Sequence, residues 1–194
     1  MVPMTSSTAR TDRLVLALAQ TRSTVGDIVG NAGKVRAARA EAAAKGADLV
    51  MFPELNLAGY PPEDLVLKPA FQEACRTAAE ELARETADGG PALLIGLPWV
   101  EDGKLYNAYA LLTGGRIDAV RFKVDLPNYG VFDEKRVFAR GPVPGPIVFK
   151  GVRIGIPVCE DIWSDEVCEC LAETGAEMLL VPNGSPYWHG KNDE

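Results

Sequence analysis

The sequence predicts a mixed α/β domain. Three observations lead there: short apolar runs of strand length recur along the chain, Ala-rich stretches with helical spacing lie between several of them, and turn residues bound nearly every run. There is no internal repeat, and 194 residues suffice for one domain with a real core.

The elements follow in chain order. Leu14–Ala19 reads as the first strand. A helix over Ala32 to Lys45 follows, stopped by Gly46, which takes the left-handed conformation that ends helices at no Cβ penalty. Leu49–Phe52 is the second strand, Ala70 to Ala87 the second helix, and Ala92–Trp99 the third strand. Tyr106–Leu112 and Ile117–Phe122 flank Thr113-Gly114-Gly115-Arg116 and read as a hairpin. The cluster Gly141-Pro142-Val143-Pro144-Gly145-Pro146 reads as a surface loop inside the domain, because strands continue on both sides. Val152–Val158, a helix from Asp165 to Thr174 ended by Gly175, and Met178–Val181 complete the pattern.

Composition narrows the function. Hydrophobic residues make up 47% and charged residues 24%, the balance of a globular domain that can bury a core. The longest apolar runs are far too short to span a bilayer. Net charge is −7, from 20 Lys+Arg against 27 Asp+Glu with no basic cluster, so nucleic acid has no electrostatic footing. Residues 1–12 read as a flexible tail with no apolar core of a secretory signal, which points to the cytoplasm. Cys75, Cys159, Cys168 and Cys170 therefore read as free thiols, and the spacing of Cys168 and Cys170 with a single histidine, His189, argues against a metal site.

Sites in open α/β sheets lie beyond the carboxyl ends of strands. Three reactive residues fall there: Glu54 after Leu49–Pro53, Lys123 after Ile117–Phe122, and Cys159 after Val152–Val158. Cys159 leads through Glu160-Asp161-Ile162-Trp163 toward a helix, which sets its thiol at a strand-to-helix elbow where a helix N-terminus favours thiolate. A carboxylate to take the thiol proton, an ammonium to stabilise an oxyanion and a nucleophilic sulfur make a complete acyl-transfer set without histidine. Taken singly, each has a plainer reading: a core cysteine, a loop carboxylate held by backbone amides, a solvated lysine at a strand end. Cys75, Cys168 and Cys170 lie in helical patterns and read as packing.

Longer segments carry a resemblance. Phe52-Pro53-Glu54-Leu55, Gly59-Tyr60-Pro61-Pro62-Glu63-Asp64-Leu65, Lys123 to Glu134, Val158-Cys159-Glu160-Asp161-Ile162-Trp163 and Asn183-Gly184-Ser185-Pro186-Tyr187 resemble the nitrilase-type glutaminase domains of glutamine-dependent NAD synthetases, within the carbon–nitrogen hydrolase superfamily. The Glu, Lys and Cys segments mark the superfamily; Tyr60 to Asp64 and Leu126 to Glu134 are specific to the glutaminases. The resemblance covers about residues 13 to 194 and departs at Leu57-Ala58, where Thr is common before the glycine, and at Val137, where Tyr is usual.

The resemblance implies a four-layer α-β-β-α sandwich. It implies Glu54 as general base, Lys123 as oxyanion-stabilising cation, Cys159 as nucleophile and Glu134 as the second glutamate that positions the lysine. Tyr129, Glu160, Ser185 and Lys191 match positions that bind glutamine. It further implies no cofactor in this chain, homo-oligomerisation, and ammonia passed to a synthetase domain that uses ATP and Mg to convert nicotinic acid adenine dinucleotide to NAD. No Ser-Gly-Gly-x-Asp-Ser phosphate loop is present, so the expectation is a glutaminase domain over 13–194, incomplete at its C-terminus, with the synthetase domain absent. Two other readings stand beside it: a free-standing amidase of the same superfamily acting on another small amide, and a non-catalytic piece that contributes only an interface.

Overall fold

The computed structural model describes residues 13–186 and 189; the expected tail at 1–12 and the expected ligand-binding Lys191 lie outside them. The chain builds two sheets. The first runs in the order β1 (Leu16–Leu18), β2 (Leu49–Met51), β3 (Ala92–Glu101), β4 (Lys104–Thr113), β5 (Arg116–Phe122). β1, β2 and β3 are parallel, which requires crossovers, and helices α1 (Ile28–Ala44) and α2 (Pro69–Glu85) supply them. The second sheet holds β6 (Ile147–Phe149), β7 (Val152–Gly155) and β8 (Met178–Leu179), with β7 central and α4 (Asp165–Glu173) as the crossover to β8.

Turn chemistry fixes the antiparallel registers. Asp102-Gly103, Gly114-Gly115 and Lys150-Gly151 each put two successive residues at positive φ, the geometry whose twist matches a two-residue hairpin. They pair Glu101 with Lys104, Thr113 with Arg116 and Phe149 with Val152. The last hairpin was not legible in the sequence, because β6 is three residues long beside a Pro/Gly run. Helix α1 begins at Ile28, ahead of the Ala-rich stretch, since the Asp27 carboxylate caps it by accepting from Gly30 N at 2.9 Å.

Alternation along the strands sorts the core into layers. Val50, Leu93, Ile95, Leu97, Ala108 and Ala110 face α1 and α2, burying against Val35, Ala79 and Leu82. Their neighbours Leu49, Leu94, Tyr109 and Leu111 face the second sheet and meet Ile147, Phe149, Ile154, Ile156 and Val158. On the far side of that sheet, Leu171 of α4 lies against Gly155. The order is therefore helices, sheet, sheet, helix, the α-β-β-α arrangement expected. Each fully buried leucine contributes about 1.5–3 kcal/mol.

One glycine decides how the segment after β2 runs. Gly96 N donates to Asn56 Oδ1 at 2.8 Å and Gly96 O accepts from Leu57 N at 3.1 Å, so residues 54–57 lie directly against β3. A Cβ at Gly96 would collide with the backbone of Leu55. Gly96→Ala is therefore expected to lower stability by about 1–3 kcal/mol, read as a lower urea midpoint at unchanged slope.

Candidate active site

Four segments converge where the two sheets open. Phe52-Pro53 ends the pairing of β2, Leu55 turns at φ 46° and the Gly96 contact presses the loop inward, which buries the Glu54 side chain. Tyr109 of β4 donates its hydroxyl to the Phe52 carbonyl and anchors the start of the same loop. Lys123 follows β5 and stays in register because its N–H donates to Asn107 O at 2.8 Å. Glu134 opens the short helix α3 (Glu134–Val137), its N–H donating to Pro127 O at 3.1 Å.

Cys159 begins a 3-10 turn over Cys159–Trp163 and sits at φ 51°, a strained conformation for a residue with a Cβ. Its N–H donates to Pro182 O at 2.9 Å, which ties the elbow to the segment after β8. The sequence placed the thiol at such an elbow, and the structure does so through a 3-10 turn ahead of α4.

Asp161 sets the distance between the elbow and the lysine strand. Its fully buried carboxylate accepts from Val124 N at 2.9 Å, Asp125 N at 2.7 Å and Val158 N at 2.8 Å. Burial pushes the carboxyl up to about 6 against the pull of those amides and of Lys123. The residues just after Lys123 and just before Cys159 are thus clasped by one side chain.

At the centre, Lys123 is 0% exposed. Its ammonium donates to Glu54 Oε1 at 2.7 Å and to Glu134 Oε1 at 3.0 Å. Burial disfavours the charge, yet the two carboxylates outweigh it and hold the lysine protonated above its ordinary range. Burial and the proximity of Glu54 push Glu134 up, opposed by Lys123 and the Tyr60 hydroxyl.

Neutral donors complete the set. Asn107 Nδ2 donates to Glu54 Oε1 at 2.8 Å and to Glu134 Oε2 at 3.4 Å, the Tyr60 hydroxyl to Glu134 Oε1 at 3.0 Å, and Gly184 N to Glu54 Oε2 at 2.8 Å. Gly184 must be glycine here, since a Cβ would stand 2.9 Å from the Tyr60 ring and 3.0 Å from Glu54 Oε2.

The Cys159 thiol is buried within electrostatic reach of Glu54 and Lys123. Burial and the Glu54 anion push it up to about 12, with Lys123 pulling the other way. The elbow opens a 3-10 turn, and burial and the Glu54 anion oppose the thiolate that a helix N-terminus favours. Cys75 is buried in α2, where desolvation also pushes it up to about 12, and Cys168 and Cys170 are half-buried on α4.

Beside the elbow opens a cavity of about 640 Å³, with Asp125, Tyr129, Arg140, Glu160 and Trp163 in its wall. The exposed Tyr129 hydroxyl donates to both Glu160 oxygens at 3.0 and 2.9 Å. Ser185 is exposed and follows Gly184 directly, within one residue of the Glu54 contact. Sequence reading found Glu54, Lys123, Glu134 and Cys159 but missed Asn107, Tyr60, Asp161 and Gly184 as members of the cluster. Among the described residues there is no group of three His, Cys, Asp or Glu side chains placed to hold a metal ion, and no helix is long and apolar enough to cross a membrane.

This fold and this buried Glu-Lys-Cys constellation define a class, and the chain belongs to the carbon–nitrogen hydrolase family, whose profile matches residues 15–193. Within it the chain is similar to the glutamine-dependent NAD(+) synthetase of Rhodobacter capsulatus, 49% identical over 183 residues that cover 94% of this chain and 33% of that protein. The solved glutamine-dependent NAD+ synthetase of Acinetobacter baumannii superposes with a TM-score of 0.86 at 37% identity, over 92% of this chain and 34% of that one. A mutant amidase from Nesterenkonia sp. AN1, which shows the result of Michael addition of acrylamide at its active-site cysteine, superposes at 0.76 with 29% identity, over 88% and 67%. The chain thus spans about a third of the length of the synthetases it matches.

Asp161→Asn keeps one acceptor oxygen but turns an NH2 toward the Val158 N–H. It should destabilise the protein by about 1–3 kcal/mol, measured by chemical denaturation, and slow the reaction of Cys159 with a thiol reagent.

Proposed function

We propose that this chain hydrolyses the side-chain amide of glutamine, with Cys159 as nucleophile, Glu54 as general base, Lys123 as the oxyanion's cation and Glu134 holding Lys123. The observation that carries this reading is the direct pairing of one buried carboxylate, Glu54, with the Lys123 ammonium, within electrostatic reach of the buried Cys159 thiol.

Burial and the Glu54 anion push the thiol up, so attack and proton transfer go together. As Sγ bonds to the amide carbon, its proton passes to Glu54 and the carbonyl oxygen becomes an oxyanion. An ammonium has three donors, and the two carboxylates take two of the Lys123 set, so the third is available to that oxygen. The Glu160 N–H, next along the chain from the sulfur, is a second donor. The C–N bond breaks as Glu54 returns the proton to the leaving nitrogen, releasing ammonia. Water then gives a proton to Glu54, its oxygen attacks the thioester, and glutamate leaves as the proton returns to sulfur.

Tyr129, Glu160 and Ser185 are the substrate-binding groups: the Glu160 carboxylate suits the α-ammonium of glutamine, and it borders the cavity beside Cys159. Lys191 has the same role by resemblance alone. In a longer protein of the kind the synthetases represent, the ammonia would serve the amidation that forms NAD, with ATP and Mg acting in the other domain. We further propose a cytoplasmic homo-oligomer. The similarity to an amidase favours one alternative, a small amide other than glutamine as substrate, and a panel of amides assayed beside glutamine separates the two.

Cys159→Ala is expected to reduce ammonia release from glutamine by more than about a thousandfold, and Glu54→Gln by about 10²–10⁴-fold, with the fold retained by circular dichroism. Ammonia release unchanged by Cys159→Ala would overturn the thiol mechanism. Acrylamide or iodoacetamide should label Cys159 faster than Cys75, Cys168 or Cys170 near neutral pH, by peptide mass spectrometry, and Glu54→Gln should remove that preference.

A further inference from the structure

The Asn107 side chain touches both Glu54 and Glu134. It lies on β4 opposite Pro98, is 1% exposed, and its Nδ2 reaches Glu54 Oε1 at 2.8 Å and Glu134 Oε2 at 3.4 Å. Its main-chain oxygen accepts from Lys123 N at 2.8 Å. One residue therefore holds the backbone of the lysine and the carboxylates on either side of its ammonium.

The orientation of the amide is decided by charge. Turned over, its oxygen would face two carboxylates, so the NH2 end must point at them. The other end is left unmet: Asn107 Oδ1 is buried with no hydrogen-bond partner among the described residues. A buried amide that leaves its acceptor idle while both donors meet anions is placed for those donors, not for packing. The local charge balance explains the need. Glu54 and Glu134 face one ammonium, Lys123, with the Cys159 thiol and the Tyr60 and Tyr109 hydroxyls around them, so the interior holds two carboxylates for one cation. Neutral donors are what keep two neighbouring carboxylates ionised without a second cation.

We propose that Asn107 is a positioning residue for the base: its NH2 bridges Glu54 and Glu134, holds both as anions on one ammonium, and keeps the Glu54 carboxylate free to take the Cys159 proton. This rests on the reading of Glu54 as general base. It assigns the amide-bearing strand β4 a role in catalysis that Lys123 and the two glutamates cannot fill themselves.

The test is the pH dependence of ammonia release from glutamine, and of acrylamide addition to Cys159, in Asn107→Leu, Asn107→Ser and Asn107→Asp. Losing a donor disfavours the anionic form of the carboxylate pair, so the acid limb of the profile should move upward by about one pH unit in Asn107→Leu, less in Asn107→Ser, whose hydroxyl can serve one carboxylate, and more in Asn107→Asp. At fixed neutral pH, kcat should fall about tenfold in Asn107→Leu while KM stays within about threefold. Where Asn107→Leu does not fold, the serine and aspartate variants give the same ordering. An acid limb that stays in place in the folded variants, or an effect confined to KM, would overturn the proposal. Glu54→Gln run alongside separates the two readings: lost activity there with unmoved Asn107 profiles sinks only the bridge, whereas retained activity sinks the base and the bridge together.

Discussion

Everything at this site depends on one ammonium with no access to water. Taking Lys123 out of solvent is costly, and only close, well-aligned anions with their remaining lone pairs satisfied make it tolerable. Glu54 and Glu134 do this from segments far apart in sequence, so the ion cluster requires the loop after β2, the end of β5 and the turn of α3 to meet at one point. Two anions on one cation then create their own demand, which Asn107, Tyr60 and Gly184 answer with neutral donors.

The backbone is bent to serve that meeting. Leu55, next to Glu54, and Cys159 sit at positive φ without being glycine, a strain of about 1–3 kcal/mol each. Packing elsewhere sustains it: Gly96 lets the Glu54 loop lie on β3, and Asp161 fastens the strand of Lys123 to the residue before the thiol. The layered core is thus a frame that holds strained loops at fixed distance, which is how a site built on rigid strands gains precision.

The thiol shows how the same cluster sets the order of events. A low-polarity setting and a nearby anion push the Cys159 thiol up, while Lys123 pulls it the other way; in the proposed mechanism the sulfur gives up its proton as it attacks. A helix N-terminus alone would favour thiolate; here burial and the carboxylate at hand oppose it. The residue types suggested a thiol, a carboxylate and an ammonium brought together, while the balance of charge among them is set by burial.

The sequence by itself determined the alternation of strands and helices, because hydrophobic period, Gly stops and Ala-rich spacing are local. It also determined which side chains end strands, and so marked Glu54, Lys123 and Cys159, with motif resemblance adding Glu134. The short β6 escaped it, since three residues beside a proline run carry too little periodicity. Asn107 and Asp161 escaped it too, being polar residues in otherwise ordinary strand and loop text whose meaning lies in what faces them. Only the tertiary structure decided that four carboxylate, amide and ammonium groups share one buried space, since pKa, donor count and strain depend on distances between elements that no local pattern records.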